Sequence, residues 1–143
     1  MNRLHELTVA DVMSTGVISC LPDAPLRTVA RLMAEYRVHA VFVLTEHDDG
    51  ELWTLVSDLD LVAAASGGVE DRTAGESAVA PLVRIAADDD LDRAAQLMTE
   101  NGISHLAVVD PQTRRPVGVV STLDLARAIA AEPARPGLLD RHP

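Results

Sequence analysis

The sequence predicts an α+β fold: two tandem β-α-β-β-α units packed with pseudo-twofold symmetry. Three observations carry this. Shifted by 65 residues, Thr8 to Thr45 falls over Thr73 to Asp110 without a gap, the mark of an internal repeat. Each copy alternates β-rich runs with stripes at helical spacing. Each copy is also only roughly 60 residues long, too small to be comfortably stable alone, so the two should pack on each other.

The repeat is dense. Asp23 meets Asp88, Leu26 meets Leu91, Leu32-Met33 meets Leu97-Met98, and Val43 meets Val108. The following loop is one residue shorter in the second copy, and the offset becomes 64. Val56-Ser57 then meets Val120-Ser121, and Leu59-Asp60-Leu61 meets Leu123-Asp124-Leu125.

Within each copy the elements follow in order. Short apolar stretches (Val17 to Cys20; Leu82 to Ile85) read as strands. Acidic turns follow (Pro22 to Pro25; Asp88 to Asp90), where an aspartate can accept from free helical N–H groups. Leu26, Val29, Ala30 and Met33, matched by Leu91, Ala94, Ala95 and Met98, form the i, i+3, i+4, i+7 stripe of an amphipathic helix. Asn101-Gly102 is a helix stop. Strands are expected at Val38 to Leu44 and Ile103 to Val109, then at Leu52 to Val56 and Val117 to Val120, with polar loops between. Helices from Asp58 and Leu123 close the units. Strands joined by a short loop run antiparallel and strand-helix-strand steps run parallel, so each unit is expected to hold a mixed three-stranded sheet. The expected organisation is a tail over 1–8, a first unit over 9–66, a linker over 67–74, a second unit over 75–131 and a tail over 132–143.

Composition narrows the function. Twenty-two acids face twelve bases, all arginine, for a net charge of -10. Nucleic-acid binding and anionic membrane surfaces both call for basic patches, so neither is expected as a partner. Aromatic residues are 2% of the chain, Tyr36, Phe42 and Trp53, which removes stacking platforms. The apolar runs are far shorter than the roughly 18 residues of a membrane span, and no export leader is recognised. Cys20 is the single cysteine, which rules out a disulfide framework. A cytoplasmic protein is expected.

The most suggestive pattern is Ser-x-x-Asp at a strand-to-helix junction, present as Ser57 to Asp60 and Ser121 to Asp124. It reads first as a capping box. The same geometry suits a ligand: helix N-termini favour phosphate, and a neighbouring carboxylate can grip a ribose diol. His39 and His105 sit one position apart under the repeat and could meet. Without matched acids they read as ordinary strand-edge residues rather than a metal site. Asp88 to Asp90 lacks the spacing of a calcium loop, and Cys20 reads as inert core. No nucleophile-base-acid set or glycine-rich phosphate loop is present, so no enzyme is expected and no catalytic residue is assigned.

Taken in order and twice over, these motifs resemble a tandem pair of cystathionine β-synthase (CBS) domains, a Bateman module of the stand-alone bacterial type. The resemblance rests on Ala10-Asp11-Val12-Met13, Leu32-Met33 and Leu97-Met98, the run from Gly102 to Asp110, and the run from Val117 to Leu125. It implies a regulatory homodimer, arranged as a flat disc. Each module would offer two clefts for adenosine-containing ligands: AMP, ADP, ATP, S-adenosylmethionine or NADH. One cleft would combine Met13, Ile18, Val38 and His39 with Val119, Ser121 and Asp124. The other would combine Ala78, Val83 and Ile103 with Leu55, Ser57 and Asp60. By the same resemblance the acid would bind ribose and the serine would lie beside the phosphate. The family's basic residue before the phosphate-side strand is matched by His105, whereas the first copy has Ala40. Its glycine is kept as Gly118 and replaced by Thr54. Both departures favour the Asp124 cleft. The family's middle-strand proline is replaced by Phe42 and Ala107, and Phe42 narrows a cleft. The -10 field favours AMP, then S-adenosylmethionine, over ATP. The alternative is a structural dimerisation module with empty clefts. Output would pass through a separate downstream protein that the sequence does not name.

Overall fold

The computed structural model describes residues 4–47, 50–68, 71–78 and 82–131. The tail expected over 132–143 and part of the linker, 69–70, lie outside the described residues. The elements are α1 (Val9–Val12), β1 (Ser14–Thr15), β2 (Ser19–Cys20), α2 (Leu26–Tyr36), β3 (Ala40–His47), β4 (Gly50–Ser57) and α3 (Asp58–Ala65), followed by α4 (Ala74–Ser77), β5 (Arg84–Ala86), α5 (Leu91–Asn101), β6 (His105–Val109), β7 (Pro116–Ser121) and α6 (Thr122–Ala130). The α+β fold of two β-α-β-β-α units is the one the repeat predicts.

Each unit is closed by its own sheet. β2 pairs parallel with β3, which pairs antiparallel with β4. β5, β6 and β7 repeat that arrangement. The stripes behave as expected: Leu26, Val29 and Met33 of α2 are buried, as are Leu91, Ala94 and Met98 of α5. Two cores result, one around Leu26, Val41 and Val56, the other around Leu91, Leu106 and Val120.

The two units also exchange their opening segments, which the repeat alone does not reveal. α1 buries Val9 in the second core, and α4 with its C-cap buries Ala74 and Ala78 in the first. Backbone bonds seal this exchange in matched pairs. Val9 N donates to Asp89 O at 2.8 Å, and Ala74 N to Ala24 O at 2.8 Å. Leu91 N donates to Leu7 O and Leu26 N to Arg72 O, each at 3.1 Å. These satisfy helix-terminal donors that otherwise have no intrahelical partner. Continuing from α1, β1 joins the second unit: Ser14 pairs with Val119 and Thr15 with Gly118, antiparallel. The second sheet therefore has four strands, β1-β7-β6-β5, against three, β2-β3-β4, in the first. The expectation of two three-stranded sheets is corrected there, since β1 crosses between units.

Local caps differ between copies. Asp90 accepts from Arg93 N at 2.9 Å and caps α5. The matched position before α2 is Pro25, whose apolar ring carries no acceptor and makes no such bond. The capping expected from Asp23 in the first copy is therefore not made at the N-cap, and the linker carbonyl of Arg72 takes the Leu26 N–H instead. Both α2 and α5 end on a left-handed residue. In α5 it is Gly102 (φ 61°), but in α2 it is Arg37 (φ 55°), where a side chain is strained by about 1 kcal/mol.

Candidate functional site

Two concavities lie at the seam of the units. The first encloses about 250 Å³, near the lower end for small-molecule sites. The first unit and β1 supply Ser14, Thr15, Gly16, Ile18, Tyr36, Arg37, Val38, His39, Ala40 and Phe42. The second unit supplies His105, Val119, Ser121 and Asp124. The structure thus brings together Ile18, Val38, His39, Val119, Ser121 and Asp124, as named from sequence. The second concavity encloses about 400 Å³ and brings together Leu55, Ser57, Asp60, Val83 and Ile103, with Met98, Thr99 and Gly102 beside them. His105 borders both.

Two named residues are not in either lining. Met13 packs against the second core, and Ala78 is buried in the first. Both belong to the exchanged segments, which carry them inward. Conversely, Ser14, Thr15, Tyr36 and Arg37 line the first cleft without having been named. The repeat offered one hint, because Arg37 matches Gly102 across the 65-residue shift. Its left-handed backbone conformation turns the chain at the cleft.

Ser121 and Asp124 form a capping box at the start of α6. Asp124 N donates to Ser121 Oγ at 3.2 Å, and Ser121 N donates to Asp124 Oδ2 at 2.8 Å. The serine hydroxyl also donates to Oδ2, at 3.1 Å. Ser57 and Asp60 repeat the box in α3, at 3.2 and 2.9 Å. Among the described residues every hydrogen bond to these carboxylates goes to Oδ2. Oδ1 of each half-buried aspartate is left to accept from a ligand. The capping and ligand readings are thus compatible in one side chain.

His39 and His105 do meet: their rings stack with centroids 6.4 Å apart and planes 30° from parallel. His39 Nδ1 lies 2.9 Å from Asp58 Oδ2, at the surface. His105 Nδ1 lies 2.9 Å from Ser104 Oγ. Desolvation holds the His105 pKa below the ordinary histidine value, with Asp58 opposing this, His39 adding to it, and Asp124 and Asp60 opposing it more weakly. A lowered folded-state pKa means that the unfolded chain takes up the proton first. Stability is therefore expected to fall as pH drops below about 6.5 and to level off below the folded-state value. Urea midpoints at pH about 7.5 and about 5.5 check this: His105→Gln should lose less over that interval than the parent chain, and equal losses would contradict the assignment.

Among the described residues no three His, Cys, Asp or Glu side chains gather as a metal site. Cys20 is half-buried, and burial foremost, then Asp23, pushes its thiol pKa up, so it is a poor nucleophile. Asp89 and Asp90 serve backbone N–H groups of Ala86 and Arg93. Among the described residues no helix is long and apolar enough to cross a membrane.

A duplicated β-α-β-β-α unit with a capped acid at each seam has a counterpart among known families. The profile described as the CBS domain matches residues 9–67 and 77–131. The chain belongs to the CBS domain family. Its two CBS units are those found by the repeat, and the family is one of regulatory rather than catalytic modules. The CBS domain-containing protein YhcV of Bacillus subtilis (strain 168) is 28% identical over 121 residues, 83% of each chain. A homoserine O-acetyltransferase of Methanosalsum zhilinae is 21% identical over 126 residues. That match takes in 88% of this chain but spans only a quarter, 25%, of the enzyme's length. Among solved structures, the CBS domain pair of protein MJ0100, in complex with 5′-methylthioadenosine and S-adenosylmethionine, matches with a TM-score of 0.75. Identity there is 21%, over 89% of this chain and 98% of that one.

Proposed function

We propose that this CBS pair is a regulatory module that binds an adenosine-containing ligand in the Asp124 cleft. The observation that carries the reading is that cleft itself. It sets a helix N-terminus with a half-free carboxylate on one unit opposite an apolar wall, Ile18 and Val38, on the other. Such a site would hold the adenine ring by apolar contact and the ribose diol by Asp124 Oδ1. Ser121 and the positive end of the α6 dipole would lie toward a phosphate, although the Thr122 and Asp124 N–H groups already donate to Ser104 O and Ser121 Oγ. Arg37 and His105 add donors on the same rim. The Asp60 cleft has His105 but no arginine in its lining, which supports the Asp124 cleft as the tighter site. AMP fits first, since a net charge of -10 opposes a polyphosphate more strongly. S-adenosylmethionine and 5′-methylthioadenosine, bound by the MJ0100 pair, follow.

A ligand that binds only the folded state raises its stability by about 2.7 kcal/mol at one hundred times Kd. A thermal-shift panel of AMP, ADP, ATP, S-adenosylmethionine and 5′-methylthioadenosine tests the reading. A concentration-dependent rise with at least one of them is expected. No shift with any at millimolar levels would favour a structural module with empty clefts.

The module is proposed to pair with a second copy through α3 and α6. Leu59 and Val62 of α3 are 69% and 66% exposed, and Leu123 and Ile129 of α6 are 46% and 54% exposed. Leu59 and Leu123 are repeat-equivalent, so both units contribute to one apolar surface, which pairing with the same surface of a second copy would cover. Sedimentation at tens of micromolar should give a dimer for the parent chain, and a shift to monomer for the Leu59→Glu, Leu123→Glu double variant. A monomeric parent would contradict the pairing.

A further inference from the structure

A third concavity, of about 230 Å³, is lined by Glu51, Trp53, Arg84, Val109, Arg114, Arg115 and Pro116. It shares no residue with either cleft. β4 of the first unit contributes Glu51 and Trp53; from the second unit come Arg84 of β5, Val109 at the end of β6, Arg114 and Arg115 of the β6–β7 turn and Pro116 at the start of β7. Three of the chain's twelve bases converge here, in a protein of net charge -10. Among the described residues that line it, one acid accompanies them: Arg115 Nη1 donates to Glu51 Oε1 at 2.8 Å. Among the described residues the guanidinium groups of Arg84 and Arg114 have no ion-pair partner. The charge of this hollow is therefore opposite to that of the molecule around it.

The turn that presents the two adjacent arginines is firmly built. Asp110 Oδ1 accepts from the N–H groups of Gln112 and Thr113 at 2.8 and 2.9 Å. Arg114 N donates to Asp110 O at 2.8 Å, and Asp110 N to Arg115 O at 2.9 Å. Arg114 itself takes a left-handed conformation, φ 65°. Guanidinium forks match the paired oxygens of phosphate and carboxylate groups. Trp53, Val109 and Pro116 give the same hollow an apolar wall.

We propose that this concavity is an anion-binding site, separate from the adenosine clefts, that takes a small multivalent oxyanion between the two units. Its occupant would carry phosphate or carboxylate groups to Arg84 and Arg114, with Arg115 shared with Glu51. Bound there, it would bridge β4 to the β6–β7 turn and so tie one unit to the other.

Trp53 is the single tryptophan and lines this hollow; because it also packs edge-on against Phe42 of the Asp124 cleft, at 5.9 Å, the arginine variants below assign the response. Titrating the full chain with inorganic pyrophosphate, and separately with citrate, at constant ionic strength, should give a saturable change with at least one. The tighter of the two identifies the phosphate or the carboxylate class. Arg84→Ala and Arg114→Ala should each weaken it about fivefold to tenfold, the size of a solvent-exposed charged hydrogen bond. Glu51→Gln releases Arg115 and should tighten it. Arg31→Ala, a matched loss of charge on the exposed side of α2, should change nothing. An unsaturable response equal to that of sodium chloride would overturn the proposal, as would arginine variants that bind like the parent chain.

Discussion

Gly118→Ala is expected to destabilise the protein by about 1–3 kcal/mol, with a Tm lower by about 5 °C or more. A Cβ at Gly118 would stand well inside van der Waals contact with Ser14 O, and within 3.4 Å of Met13 Sδ. The obstruction is backbone, so no rotamer change relieves it. β1 has to move off β7 and lose its pairing at Ser14 and Thr15. Because Ser14 and Thr15 also line the Asp124 cleft, ligand affinity should fall together with stability. The matched position in β4 is Thr54, which already carries a Cβ and makes only a long, 3.5 Å bond to Val43 O. Thr54→Ala should therefore be much milder. Thermal unfolding and hydrogen exchange at residues 14–16 check both. A harmless Gly118→Ala would mean that the close approach of β1 contributes nothing to stability.

Asp124→Ala is expected to weaken the adenosine ligand by about 1.5–3 kcal/mol, roughly tenfold to a hundredfold, if its carboxylate grips the sugar with charged hydrogen bonds. It also removes the acid of a capping box, which would lower stability by about 1 kcal/mol. Asp60→Ala removes the equivalent box from α3, so its effect on stability should be similar. The two variants therefore separate the roles. Calorimetry should show strong weakening for Asp124→Ala and little for Asp60→Ala, at matched losses of Tm. The reverse order would transfer the ligand to the other cleft.

Much of this architecture was legible because duplication writes each element twice. The stripes at Leu26 to Met33 and Leu91 to Met98, and the two Ser-x-x-Asp junctions, are short-range patterns whose physics is local. The meeting of His39 and His105 followed from symmetry alone. What escaped was long-range. β1 is two polar residues, Ser14 and Thr15, whose partner strand lies more than a hundred residues further on, and no periodicity marks so short a strand. Met13 and Ala78 were carried into the clefts by family likeness, whereas the segment exchange turns both toward a core. Arg37 was missed as a cleft residue because its left-handed cap lacks the glycine that usually marks one. Asp23 looked like a cap by analogy with the second copy, yet Pro25 holds the capping position.

The central claim is that the ligand sits between the two units rather than on one of them. Backbone amide shifts of the isotope-labelled chain, recorded with increasing AMP, address it directly. Saturable perturbations are expected at two separate stretches together, Arg37 to Ala40 of the first unit and Val119 to Asp124 of the second. Shifts confined to a single unit, or none at millimolar AMP and S-adenosylmethionine, would contradict it.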